Sequence, residues 1–253
     1  MENSTIFLAD MNLTNLLDFQ FDKLKELVLY NNELSELEEL PNSILKINAH
    51  HNNICKLNIN NLSNLQYLNI SYNKLIVIPN LKMLNQLKTL YCTHNKLKKI
   101  IGLPNSLEYF NCSNCGLKKL PDYLPNRLKE FYCSENKLKF IPKCNSRLEI
   151  LHCYGNKLKI LPSINSKLKI LYCFNNKLEY LPKLIDTMLI ELYCQNNKIT
   201  IISGLPNTLT ELSACDNLIK YIELPNNLKK LYLYNNLLDN SPIIPNNCTI
   251  FYV

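Results

Sequence analysis

Six cysteines recur along the chain at Cys92, Cys112, Cys133, Cys153, Cys173 and Cys194, each about twenty residues after the last. Thiols repeated at a fixed interval could do three kinds of chemistry: hold a soft metal as thiolates, cross-link, or attack an electrophile. Structural zinc takes close pairs of the C-x-x-C kind, and the one approximation to it here is Cys112 with Cys115. A cysteine nucleophile needs a base within hydrogen-bond reach. His152 precedes Cys153, and His50, His51 and His94 are the other histidines, a set too loosely spaced to read as more than surface residues. With four glycines in 253 residues, the chain has no phosphate-cradling loop.

Which of these chemistries can operate depends on the elements that carry the cysteines. Around Cys153 the chain shows Leu148, Leu151, Cys153, Asn156, Leu158, Leu161 and Pro162, a frame of the form L-x-x-L-x-C-x-x-N-x-L-x-x-L-P. The frame starts at Leu24, Ile44, Leu65, Leu87, Leu107, Leu128, Leu148, Leu168, Leu189, Leu209 and Leu228, eleven copies at steps of 19 to 22 residues. A twelfth begins at Cys248, with Phe251 and Val253 in its strand positions. Alternation across L-x-C predicts a strand with Leu and Cys turned inward and the residue between them turned out. His152 and Cys153 therefore face opposite ways and form no dyad. Successive strands stack in parallel about 4.8 Å apart, and each repeat buries its apolar side only against its neighbours. The cysteine position is held elsewhere by Leu29, Ala49, Ile70, Ala214 and Leu233. Those residues exchange by packing and not by coordination, so the cysteines read as core filling. No metal, no cofactor and no catalytic residue is expected.

Two further columns belong to the scaffold. Pro79, Pro121, Pro142, Pro162, Pro182 and Pro242 follow the last apolar position of a repeat, and Pro41, Pro104, Pro125, Pro206, Pro225 and Pro245 stand three residues before the next. Proline cannot donate to a strand ladder, and none falls in a predicted strand. The return path is too short and too rich in proline for a helix. Asn32, Asn52, Asn73, Asn95, Asn136, Asn156, Asn176, Asn197, Asn217 and Asn236 occupy one column, interrupted by Cys115. An inward amide there serves backbone donors and acceptors exposed where the strand bends away, groups that cost roughly 1 to 3 kcal/mol each if buried unpaired.

The frame resembles the signature of the leucine-rich-repeat family, L-x-x-L-x-L-x-x-N/C-x-L, from Leu24 to the end of the chain. The short step and the recurring Leu103-Pro104-Asn105, Leu124-Pro125-Asn126 and Leu205-Pro206-Asn207 resemble the short repeats of bacterial effectors and of giant viruses that infect amoebae. The resemblance implies a leucine-rich-repeat solenoid with a parallel β-sheet on the concave face, extended, polyproline or 3₁₀ segments on the convex face, and little α-helix. Residues 1–23 are expected to form an N-terminal capping segment, 24–247 eleven repeats, and 248–253 the strand of a truncated final repeat. It also implies a non-catalytic protein–protein interaction module with a protein partner on the concave face. The bacterial proteins suggest an alternative, the substrate-recognition part of a ubiquitin-ligase-type effector, which would need a catalytic domain supplied by another subunit.

Nothing in the fold dictates the outward strand positions, so they carry the functional expectation. Tyr132, His152, Tyr172 and Tyr193 occupy one outward column, flanked by Ile150, Ile170, Tyr154 and Phe174. These eight residues are the expected partner-binding patch, since tyrosine joins large area to a polar tip. A second column, Lys74, Lys96, Lys137, Lys157, Lys177 and Lys198, forms a basic edge. It reads first as a solvated face and second as a contact for an anionic surface or nucleic acid. The net charge of +7 comes almost wholly from lysine, Arg127 and Arg147 being the two arginines. That is not the footprint of a dedicated nucleic-acid binder, and a nucleic-acid partner is not expected. Met1 to Phe21 includes Glu2 and Asp10 and has neither a basic leader nor an unbroken apolar run, so no signal peptide and no membrane span are expected. Eleven cysteines without a disulfide spacing point to a reducing compartment, the cytoplasm, which for a viral or effector protein is the host's. An uncovered final strand suits homodimerisation through the C-terminal edge.

Overall fold

The computed structural model describes residues 4–17, 19–21 and 23–251, and among them there is no helix. Two compact units divide the chain, Met1–Leu128 and Lys129–Val253. Each is a parallel β-solenoid with one strand per repeat in its main sheet. In the first unit Thr5–Phe7, Glu26–Val28, Lys46–Asn48, Tyr67–Asn69, Thr89–Tyr91 and Tyr109–Asn111 pair in that order. In the second the order is Glu130–Tyr132, Ile150–His152, Ile170–Tyr172, Glu191–Tyr193, Glu211–Ser213, Lys230–Tyr232 and Thr249–Phe251. The expected alternation holds: in every main-sheet strand between the two terminal ones the middle residue, Leu151, Leu171 and Leu192 among them, is fully buried, as are Cys153, Cys173 and Cys194, whereas Ile6 and Ile250 in the terminal strands are only half-buried.

The N-terminal segment, whose structure the frame leaves open, contributes a strand of its own. Thr5–Phe7 pairs in register with Glu26–Val28, which puts Leu8 beside Leu29 and Met11 in the asparagine column. At the other end the expected register is one residue out. Leu231 pairs with Ile250 and Tyr232 with Phe251, so Ile250 takes the inward column and Phe251 the outward one. The cause is a shortened approach: the Pro245 turn closes on Cys248, one residue before the strand, whereas the Pro225 turn closes on Leu228, two residues before its own. A slip of one residue exchanges the two faces of a strand. Val253 lies outside the described residues.

The prolines before each repeat are turn residues. The carbonyls of Pro41, Pro104, Pro125, Pro206, Pro225 and Pro245 each accept from the backbone N–H three residues on, at 3.0 to 3.3 Å. These are single tight turns, not 3₁₀ helix. Part of the return path is itself short strand: Glu36–Leu37 pairs with Lys56–Leu57 and Val77–Asn80 with Lys99–Gly102 in the first unit, and Ile201–Ile202 with Tyr221–Ile222 in the second. Proline is thus absent from the main sheets but not from every strand, since Pro79 lies within Val77–Asn80. A two-stranded ribbon has two open edges and tolerates the missing donor.

Each strand leaves the sheet through one left-handed residue, followed at once by the asparagine column. Asn31, His51, Tyr72, His94, Asn114, Glu135, Gly155, Asn175, Asn196, Asp216 and Asn235 have φ between 52° and 63°. This conformation costs a residue other than glycine about 1 to 2 kcal/mol, and the next side chain offsets it. Asn156 is representative. Its Oδ1 accepts from Leu138 N–H at 3.0 Å, and its Nδ2 donates to the carbonyls of Cys133 and Cys153 at 3.0 Å. Asn52, Asn73, Asn95, Asn176, Asn197, Asn217 and Asn236 repeat this reach into the preceding repeat. Where Cys115 takes the place, its Sγ donates to the Cys92 carbonyl at 3.0 Å.

Candidate partner-binding face

The eight expected contact residues all lie in the second unit, half-buried, on the outward side of its main sheet or just beyond the strand ends. Because parallel strands are in register, residues one repeat apart are side by side, and flat side chains stack. The Tyr132 ring meets His152 edge-on with centroids 4.8 Å apart. His152 stacks on Tyr172 at 4.3 Å, and Tyr172 on Tyr193 at 4.5 Å. A parallel column forms beside them, where Tyr154 stacks on Phe174 at 4.3 Å. Ile150 and Ile170 are register partners on the other flank.

The acidic column beside these rings was not singled out from sequence. Tyr132 Oη donates to Glu130 at 2.7 Å, Tyr172 Oη to Glu191, and Tyr193 Oη to Glu211. Lys230 Nζ stands 3.0 Å from the second oxygen of Glu211. Its signal in the sequence is plain once the frame is drawn: Glu130, Glu191 and Glu211 each immediately precede the first inward strand residue. These contacts set the local acid–base chemistry. Burial, then donation to Glu191 and Glu211 respectively, pushes the phenols of Tyr172 and Tyr193 well above their ordinary value. Burial alone would raise the Glu211 carboxyl, but hydrogen bonds from Tyr193 and Lys230 outweigh it and the net shift is downward. Burial lowers His152, against an opposing pull from Glu191.

The cysteine ladder and the histidines of the first unit are placed elsewhere. Burial drives the thiols of Cys153, Cys173 and Cys194 well up and Cys144 up to about 12, so they stay protonated. His51 and His94 sit on opposite faces of Tyr72, with centroids at 4.2 and 4.1 Å, and His50 stacks on Tyr30 at 4.9 Å. The histidines of the first unit are thus packed as rings; among the described residues no group of three His, Cys, Asp or Glu is placed to hold a metal ion. Lys137, Lys157, Lys177 and Lys198 are exposed beyond the asparagine column. No helix among the described residues is long and apolar enough to cross a membrane.

Known proteins share this construction. The pattern described as Leucine Rich repeats (2 copies) matches residues 63–105. A putative leucine-rich repeat protein of Acanthamoeba polyphaga mimivirus is 32% identical over 117 residues, 46% of this chain and 27% of its own length. The chain spans about a quarter of the length of the curated relatives it matches. Among solved structures, YopM, a leucine-rich effector protein from Yersinia pestis, superposes with a TM-score of 0.76 at 27% identity, over 98% of this chain and 82% of YopM. A chain of the octameric complex of Latrophilin 3, Unc5D and the leucine-rich repeats of FLRT2 shares the fold, with a TM-score of 0.73 at 21% identity over 99% of this chain and 90% of that one. Leucine-rich-repeat proteins are protein-interaction modules, and their fold is typically a non-catalytic scaffold. Its tandem frame, its in-register parallel sheets and its likeness to YopM are those of leucine-rich-repeat proteins, whose pattern its residues 63–105 match.

Proposed function

We propose that this chain is a non-catalytic interaction module whose protein partner docks on the aromatic face of the second unit, at Tyr132, Ile150, His152, Tyr154, Ile170, Tyr172, Phe174 and Tyr193. The observation that carries the reading is the run of ring contacts from Tyr132 to Tyr193. Rings already held against one another give up little side-chain freedom on binding, so their contact area is converted to affinity with small entropic loss. The likeness to a mimivirus protein makes amoebal lysate the first source to probe, and reducing buffer matches a cytoplasmic setting.

The experiment is affinity capture at low and moderate salt with wild type beside a Tyr172→Ala, Phe174→Ala variant. Loss of a specific protein with the variant supports the face. Capture that ignores the variant and falls steeply with salt transfers the function to the exposed lysine column, the second reading, where contact with an anionic surface would dominate. Capture of a ubiquitin-charged enzyme through the same face would favour the ligase-recognition role over a plain adaptor.

A further inference from the structure

The second unit carries an exposed apolar row that its fold does not require. Phe140, Ile160, Tyr180, Ile201 and Tyr221 stand four residues beyond the asparagine column in five successive repeats. Each is open over about half its surface, from 45% at Phe140 to 57% at Tyr221. Ile141, Leu161, Ile202 and Ile222, the residues that follow four of them, are buried, so the row points outward. Ile201 and Tyr221 are register partners in the second unit's short ribbon. The repeats are held one strand spacing apart here, since the N–H groups of Lys157, Lys177, Lys198 and Leu218 each donate to a carbonyl of the preceding repeat at 2.8 to 3.0 Å. Five rungs about 4.8 Å apart make a ridge about 19 Å long. The frame does not demand it, because the same position is Lys99 and Lys119 in the first unit. Single exposed apolar side chains are ordinary, whereas a contiguous row marks a contact.

The ridge is bordered by positive charge. Lys137, Lys157, Lys177 and Lys198 stand three residues before it in the first four rungs, and Lys139 and Lys159 directly before it in the first two, all exposed. Glu179 is the one acid at these positions in the four rungs. We infer that this ridge rests on the surface of an anionic lipid bilayer, with its apolar tips at the headgroup boundary and its lysines among the acidic headgroups. A ridge one side chain wide seats no partner helix, which needs a groove. A second copy would set lysine against lysine. Nucleic acid would use the lysines but leave Ile160 and Ile201, which have no ring to stack on a base, in water. A bilayer takes all three components: aromatic rings settle at the interface, aliphatic tips sink below it, and lysine stems lie along apolar surface while their ammonium groups stay wet. Each lysine near acidic lipid adds attraction that fades within a Debye length. The inference does not rest on the aromatic docking face, whose rings belong to the main sheet.

The test mixes the full chain with sucrose-loaded vesicles of phosphatidylcholine, alone or with about a quarter phosphatidylserine, at about 0.15 M salt, and reads the fraction that sediments. Wild type is expected to bind the phosphatidylserine vesicles about tenfold more tightly than phosphatidylcholine alone. The Phe140→Ser, Ile160→Ser, Tyr180→Ser variant removes three tips that lie outside any strand, so it should keep the wild-type unfolding midpoint and bind about tenfold more weakly. Lys137→Gln, Lys157→Gln, Lys177→Gln should lose a similar factor. The chain has no tryptophan, so Tyr180→Trp supplies a reporter that needs no loss of binding. Its emission should move to the blue on phosphatidylserine vesicles and be quenched by brominated lipid. No sedimentation, equal sedimentation with and without phosphatidylserine, undiminished binding by the serine variant, or a Tyr180→Trp emission that ignores the vesicles overturns the assignment. A dimer formed without lipid and abolished by the serine variant also overturns it, giving the ridge to a second copy. Protein capture by the aromatic face is read without lipid, on the Tyr172→Ala, Phe174→Ala variant, so the failure of one face leaves the other standing.

Discussion

Replacing Asn156 by Ala tests the scaffold most directly. The substitution removes four hydrogen bonds, but the four groups it abandons do not suffer alike: the Tyr154 carbonyl, held by Asn156 Nδ2 at 3.2 Å, keeps the Glu135 N–H at 2.9 Å. The Cys133 carbonyl still accepts from Asn136 Nδ2 at 3.0 Å, and the Cys153 carbonyl from Asn176 Nδ2 at 3.1 Å. Each loses one of two donors, worth about 0.5 to 1 kcal/mol apiece. Leu138 N–H loses its acceptor outright in a buried setting, at about 1 to 3 kcal/mol. The sum is about 3 kcal/mol, measured as a fall in urea midpoint by far-ultraviolet circular dichroism. The shared carbonyl sharpens the test. Asn176→Ala strips the other donor from Cys153, so the Asn156→Ala, Asn176→Ala pair should lose about 1 kcal/mol more than the singles together. Asn156→Ala with Asn217→Ala, which share no partner, should be additive within about 0.5 kcal/mol. A single-variant loss below about 0.5 kcal/mol, or equal coupling in both pairs, would refute the ladder as the source of stability.

Three other outcomes are expected. Cys115→Asn should stabilise the first unit by about 1 kcal/mol, because an amide at this column makes stronger bonds than a thiol; an unchanged or lower unfolding midpoint would contradict it. Of the eleven free thiols, Cys55 is exposed and Cys248 partly so, so a thiol-reactive chromophore should modify Cys55 rapidly, Cys248 more slowly, and the others on the timescale of unfolding. His152 is lowered below its ordinary 6.5 by burial, so it is held neutral in the ring column. Its contribution is complete above the unfolded value and is lost as pH falls through 6.5 toward the folded one. Wild type should lose more stability than His152→Phe between about pH 7.5 and pH 5.5, and equal losses would show that the imidazole is not sensed.

Almost all of the scaffold was legible because its columns obey single physical rules. Leu151 and Cys153 alternate because a strand has period two, Asn156 recurs because a buried bend needs an amide, and Pro125 recurs because a tight turn needs a fixed φ. The expected contact residues could be placed for the same reason, their columns following from the frame. What escaped lay where two columns interact or the frame changes length. The bonds from Tyr172 to Glu191 and Tyr193 to Glu211 join adjacent repeats, and their donors and acceptors are 18 or 19 residues apart. The final register depended on how many residues separate the Pro245 turn from its strand, a count that a fixed frame does not question. His51 and His94 looked like isolated surface residues because only register reveals Tyr72 between them.

The direction in which the asparagines reach gives the array a polarity in time. Asn176 serves the Leu158 N–H and the Cys153 carbonyl of the repeat before it, and Asn197 does the same for Leu178 and Cys173. The bend of each of these repeats is thus finished by the asparagine of its successor. On a ribosome, where residues emerge in that same order, a turn of this solenoid becomes complete about twenty residues after it appears. The growing end then carries one turn whose bend still lacks its asparagine, and the bends behind it already have theirs.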